Sequence, residues 1–168
     1  LEFRRVLFRS SQEFYGGDFK GVEEKLDHLS SLGINAIYFT PIFASKSNHR
    51  YDASSFEEAD PLLGGDKDLI SLRKSAAKKS IRVMSDLTTN HCGLGHPWIQ
   101  EALSNKNSEK RDFFYWTKKS KWGYVGWWNV QSLPKLNFSS KKLRDLIWEG
   151  ENSIVDRKST RLNSSHEW

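Results

Sequence analysis

Disulfide cross-links are excluded first, because the sequence contains a single cysteine, Cys92. No apolar run approaches the roughly 20 residues that a membrane-spanning helix requires, so no membrane segment is expected. Residues 1–10 hold three arginines but neither a continuous apolar stretch nor a small-residue cleavage site, which argues against a secretory leader. A soluble protein of a reducing compartment is the expectation. There are no internal repeats. The 168 residues suffice for one domain with a sizeable core, but fall short of the about 250 that close an eight-stranded βα barrel.

A strong charge of one sign is missing too, once the two ends are set aside. Leu1-Glu2-Phe3-Arg4-Arg5-Val6-Leu7-Phe8-Arg9-Ser10 can be encoded by a common short-read sequencing adapter, and Asp156-Arg157-Lys158-Ser159-Thr160-Arg161-Leu162-Asn163-Ser164 by its reverse complement. Segments of that origin are not part of a fold, so residues 1–10 and 156–168 are read as artefactual tails and 11–155 as the natural segment. The formal charge of +5, from 26 Lys+Arg and 21 Asp+Glu, then loses six basic residues (Arg4, Arg5, Arg9, Arg157, Lys158, Arg161) and three acidic ones (Glu2, Asp156, Glu167), leaving 20 against 18, or +2. A nucleic-acid partner, which the raw balance invites, is not expected.

What is present is an alternation of helical and strand patterns. After the turn-rich Gly16-Gly17-Asp18, the spacing of Val22, Leu26, Leu29 and Leu32 predicts an amphipathic helix of about eleven residues over 22–32, stopped by Gly33 in the left-handed region. Ile34-Asn35-Ala36-Ile37-Tyr38-Phe39 reads as a strand ended by Thr40-Pro41. Residues 42–65 form a connection much longer than the two to six or so residues usual after a parallel strand, and loops of that length tend to be functional. A second helix is predicted over 67–79 with Asp66 as N-cap. Ile81-Arg82-Val83-Met84-Ser85-Asp86 reads as a buried parallel strand, which delivers Asp86, Asn90 and His91 at its C-terminal end. Two successive helix–strand steps imply a doubly wound sheet or a βα barrel. Residues 92–138, rich in aromatics, read as a subdomain inserted after the strand, and 139–155 as a third helix capped by Ser139 or Ser140.

Taken alone, these polar residues have bland readings. Asp86 and His91 serve as well for a strand-end cap and a surface histidine as for a site, and Tyr51 for core or surface. Trp127-Trp128 suits either a sugar platform or the insert's own core. Cys92 reads as a structural thiol, the paired lysines as solvated faces, and neither His49 nor His96 as a metal ligand.

Several segments in order shift that balance. Ala36-Ile37-Tyr38-Phe39-Thr40-Pro41, Ser47-Asn48-His49-Arg50-Tyr51-Asp52, Leu63-Gly64-Gly65-Asp66, Asp86-Leu87-Thr88-Thr89-Asn90-His91 and Leu133-Pro134-Lys135-Leu136-Asn137 together resemble the α-amylase family of glycoside hydrolases. The resemblance implies an α/β fold: a partial TIM (β/α)8 barrel comprising strands 2 and 3 with their helices (11–91), a small insert after strand 3 (92–138) and a barrel helix (139–155). The Pro-Lys-Leu-Asn form of the last motif and Asn48 resemble the neopullulanase, cyclomaltodextrinase and maltogenic amylase branch.

That resemblance implies a retaining α-glucan hydrolase acting on maltodextrin, cyclodextrin or pullulan, in a branch that is often cytoplasmic and forms homodimers through an N-terminal domain. It assigns His91 to transition-state support, and Asn48, Tyr51, Asp86 and His91 to sugar binding. No cofactor is required. Asn90 corresponds to a calcium-binding position in many α-amylases, so calcium is a candidate there. The family's nucleophilic Asp lies in a Gly-x-Arg-x-Asp pattern that does not occur in this chain, and the acid Glu lies beyond it; the 168 residues are expected to be inactive. Ser80 and Ser85 stand where the family usually has glycine. Alternatives are an α-glucosidase, oligo-1,6-glucosidase or transglycosylase of the same family, and a non-catalytic carbohydrate-binding module.

Sequencing the source DNA across the codon for Val155 tests the reading of the ends. It is expected to run on into a further strand with Gly-x-Arg-x-Asp; a genomic sequence that reads residues 156–168 and stops would overturn it.

Overall fold

The structure, a computed structural model, describes residues 16–156. The segments read as adapter-encoded, 1–10 and 156–168, lie outside the described residues, except for Asp156. The described chain is an α/β fold whose sheet has two parallel strands, β1 (Ala36–Phe39) and β2 (Arg82–Ser85), paired in the register Ala36↔Arg82 to Phe39↔Ser85.

The first helical segment begins earlier than its leucine spacing suggests and is divided in two. Asp18 accepts a hydrogen bond from Gly21 N at 2.7 Å and so caps α1 (Phe19–Glu24), while α2 runs Leu26–Ser31. At the break, Lys25 N turns back to Val22 O at 3.0 Å, a tighter turn than the α-helical bond. Phe19, Val22, Leu26 and Leu29 still share one face and pack against Leu69, Leu72 and Ala76 of α3 (Gly65–Ala77). Asp66 is not the cap of α3. Gly64, in the left-handed region at φ 98°, precedes the helix, and Asp66 instead accepts from Ala59 N at 2.9 Å, tying the long connection to the helix start.

α2 and α3 end in the same way. Ile34 N bonds Leu29 O and Gly33 N bonds Ser30 O; Ile81 N bonds Ala76 O and Ser80 N bonds Ala77 O. Both are Schellman ends, with one residue in the left-handed region. Gly33 adopts it freely at φ 74°, whereas Ser80 is forced to φ 56°.

The strand at β2 is not buried on both faces. Val83, with Ile37, Phe39 and Ile81, packs on the helices, but Met84 is 46% exposed and Tyr38, its partner in register, 61%. With only two strands and helices on one side, the period-2 alternation leaves the second face open.

Residues 42–65 are held by short antiparallel bridges, Phe43↔Ala59 and Ser45↔Ala53, and by the buried ion pair Arg50 Nε–Asp60 Oδ2 at 2.9 Å. A second hydrophobic cluster joins this connection (Phe43, Phe56) to the region after β2 (Cys92, Ile99, Phe113, Tyr124, Leu136) and to Leu143, Ile147 and Ile154 near the end of the chain. The helix α4 (Pro97–Ser104) lies in that region. The last helix is shorter than expected: α5 (Lys141–Arg144), capped by Ser140, passes into a wider turn over Asp145–Glu149, closed by Gly150 N to Asp145 O at 2.9 Å.

Ser80 is exposed and its strain is local. Ser80→Gly is expected to stabilise the chain by about 1 kcal/mol, read as a higher urea midpoint at unchanged slope; no shift or a fall would remove the left-handed assignment.

Candidate functional site

The site forms where the chain leaves the C-terminal ends of both parallel strands. Asp86 follows β2 directly, its N–H continuing the ladder to Phe39 O at 2.9 Å. Alternation puts Asp86 on the same open face as Met84 and Tyr38. Tyr51 reaches the carboxylate from the connection after β1, its hydroxyl donating to Asp86 Oδ2 at 2.8 Å. Tyr38, on the same face, also lies beside this carboxylate. A neighbouring carboxylate favours the protonated phenol, and both tyrosines are held above their ordinary pKa of 10.0, chiefly by Asp86.

His91 ties this group to the opposite loop. Its Nε2 lies 3.0 Å from the Tyr51 carbonyl, which can only accept, so Nε2 carries the proton. Nδ1, 3.3 Å from Asn90 Nδ2, then accepts from the amide. Burial lowers the imidazole pKa, keeping the ring neutral, and only 4% of the residue is exposed. Both nitrogens are thus occupied by the protein: a sugar hydroxyl reaching Nε2 must compete with Tyr51 O.

Backbone contacts hold the same two segments together. Gly93 N donates to Ala53 O at 2.7 Å, and a Cβ on Gly93 would collide with the Asp52 carbonyl. Glycine is required there by close approach. Arg50, left-handed at φ 61°, turns the chain into Tyr51; its guanidinium bonds Asp60 and, through Nη1, the Asn48 carbonyl at 2.9 Å. Asn48 therefore contributes at least a backbone acceptor three residues before Tyr51. His49 Nδ1 accepts from Tyr51 N at 3.1 Å, and His96 Nδ1 caps α4 by accepting from Trp98 N at 3.2 Å.

The structure brings Tyr51, Asp86, Asn90 and His91 together. Two further residues join them: Tyr38, beside Asp86, which the sequence had not singled out, and Trp127, left open there between a sugar platform and the insert's core, whose indole stacks on the His91 ring at 5.1 Å. Strand alternation from Asp86 and Met84 would have signalled Tyr38. Nothing local signals Trp127, 36 positions on from His91; it is carried there by the pairing of His91 with Lys135 and of Gly126 with Pro134.

Asn90 supplies one amide oxygen, against the about six to eight oxygens calcium takes, and among the described residues no group of three or more His, Cys, Asp or Glu is gathered that could hold a metal ion. A carboxylate between two phenols, beside a neutral histidine and exposed aromatic faces, is suited to a neutral polyhydroxylated ligand.

A titration of tyrosinate absorbance checks the cluster. Tyr38 and Tyr51 are expected to ionise above pH 10.0, and Asp86→Asn, which removes the negative acceptor, to lower both midpoints. Unchanged midpoints in the variant would separate Asp86 from the phenols.

A model of the alpha-amylase catalytic domain matches residues 5–159. "Alpha-amylase 2" of Dictyoglomus thermophilum is 38% identical over 136 residues, 81% of this chain and 24% of that protein. A cyclomaltodextrinase of a Bacillus species is 37% identical over 121 residues, 72% of this chain and 19% of that protein. Among solved structures, the type III pullulan hydrolase from Thermococcus kodakarensis aligns with a TM-score of 0.74 at 38% identity, over 79% of this chain and 24% of that one. The chain thus spans about a quarter or less of the length of these relatives. By the extent of the match and the order of its motifs, the chain belongs to the alpha-amylase family, through its catalytic domain.

Proposed function

We propose that this chain is part of the catalytic barrel of a retaining α-glucan hydrolase of the neopullulanase, cyclomaltodextrinase and maltogenic amylase type. It carries one wall of the sugar site and not the reacting carboxylates. The observation that carries the reading is the convergence of Tyr51, Asp86 and His91 at the C-terminal ends of two parallel strands, the end at which barrel enzymes bind substrate. On this reading β1 and β2 are barrel strands 2 and 3, residues 92–138 the insert and 139–155 a barrel helix. The open face bearing Tyr38 and Met84 is the one the remaining strands would cover.

Each residue then has a role its geometry supports. Tyr51 offers a flat, partly exposed ring to the apolar face of a glucose unit, held by Asp86. Asp86 orders the two phenols and accepts from sugar hydroxyls. Asn48 lines the same turn. His91, neutral and fixed in plane, offers an Nε2–H that a sugar oxygen takes over from Tyr51 O; such a bond accelerates chemistry only if it strengthens as positive charge develops on the ring. Retaining hydrolysis needs a nucleophile and an acid about 5 to 5.5 Å apart, and the Gly-x-Arg-x-Asp pattern for the first does not occur here. Binding without turnover is the consequence.

The 168-residue chain is expected to bind maltohexaose saturably, to lose about tenfold or more in affinity on His91→Ala, and to release no reducing sugar. Calorimetry and a reducing-end assay on one preparation decide it: no binding removes the sugar site, and turnover removes the assignment of the missing carboxylates.

A further inference from the structure

The sugar-site residues account for only part of an aromatic strip that continues past His91. Trp127 stacks on the His91 ring at 5.1 Å and on the Trp128 ring at 4.6 Å, the two indoles lying within 7° of parallel. Trp128 is 82% exposed, the most exposed of the large hydrophobic side chains described. An indole left in water beside a formed core is unfavourable unless something covers it.

The backbone holds it there. Trp128 (φ 49°) and Asn129 (φ 57°) are consecutive non-glycine residues in the left-handed region, a conformation that persists only where its surroundings impose it. Here they do: Trp127 N bonds Leu133 O at 2.9 Å, Asn129 N bonds Gly126 O at 3.1 Å, and a Cβ on Gly126 would collide with the Val130 carbonyl. These bonds and the close approach hold the turn in the shape that leaves the flat ring exposed.

The ring is continuous with the candidate sugar site. Tyr51 bonds Asp86, the Tyr51 carbonyl meets His91, and His91 meets Trp127 and through it Trp128. The one charged group in that sequence of contacts is a carboxylate, which repels anionic ligands and accepts from hydroxyls. We propose that Trp128 is an additional binding platform for a neutral α-glucan, stacking on a glucose unit beyond those held at Asp86 and His91, and so sets a preference for longer chains. The inference rests on the α-glucan reading above.

Glucose occupies a single unit at Asp86 and His91 and does not extend to Trp128, two ring steps of 5.1 and 4.6 Å away; maltohexaose is long enough to do so. Calorimetric titrations of the 168-residue chain with both sugars, for the unaltered chain and for Trp128→Ala, Trp128→Phe and Trp148→Ala, test the platform, with circular dichroism confirming the fold of each. Trp128→Ala is expected to weaken maltohexaose about five- to tenfold and to leave glucose unchanged, Trp128→Phe to restore most of the loss, and Trp148→Ala to change neither. Maltohexaose bound equally by the unaltered chain and Trp128→Ala would overturn the platform while leaving the sugar site intact. Equal loss for both sugars would make Trp128 a support for His91 and also overturn it. A dimer dissolved by Trp128→Ala, with sugar affinity unchanged, would assign the face to a second copy. If the unaltered chain binds neither sugar, the α-glucan reading fails and the platform with it.

Discussion

The arrangement depends on the seam where residues 51–53 lie against 91–93. One bond from His91 to the Tyr51 carbonyl, one from Gly93 to the Ala53 carbonyl, and the close passage of Gly93 by the Asp52 carbonyl join the two strand-end segments. Two loops leaving neighbouring parallel strands are otherwise free to diverge. The seam makes their side chains a single surface, and it does so with backbone carbonyls, leaving the Tyr51 hydroxyl for Asp86. Without it, Tyr51 would have no fixed approach to the carboxylate, and His91 no fixed tautomer.

The stiffness of the seam is supplied from below. Arg50 and Asp60 are both buried, and Asp60 also accepts from Leu62 N at 2.9 Å through its second oxygen, so the pair's hydrogen bonds are distributed over three parts of the loop. A buried ion pair contributes little net stability relative to apolar packing, but removing one partner is costly. The pair anchors Arg50, which is left-handed at φ 61° and is followed by Tyr51, whose hydroxyl bonds Asp86. Left-handed non-glycine residues recur at Trp128 and Asn129, again beside exposed aromatics. Ser80 has the same backbone geometry with no such neighbour, and there the cause is the end of a helix.

Much of the secondary structure was legible because it is periodic. The spacing of Val22, Leu26 and Leu29, the glycine at 33 and the two short apolar strands each signal their element through local geometry. The errors have identifiable causes. Asp66 has the composition of a cap, but a left-handed Gly64 begins the helix two residues sooner and frees the carboxylate for Ala59. The apolar run at β2 implies burial on both faces, whereas the described sheet has helices on one side only. The turn at Lys25 and the wide turn over Asp145–Glu149 leave no mark that periodicity can detect, since both keep the apolar face nearly in phase.

By itself the sequence determined the order of helix and strand, the glycine stop at Gly33, and, through five motifs in order, a family resemblance that singled out Tyr51, Asp86 and His91. These follow from interactions within a few residues, or from patterns a whole family shares. Only the tertiary structure decided that Tyr38 lies beside Asp86, that His91 Nε2 is already engaged by the Tyr51 carbonyl, and that Trp127 stacks on His91 with Trp128 turned to solvent. The first three meetings join segments far apart in the chain, set by the register of two strands, by the close approach at Gly93 and by the pairing of His91 with Lys135. Chain-local preferences carry no information about such distances.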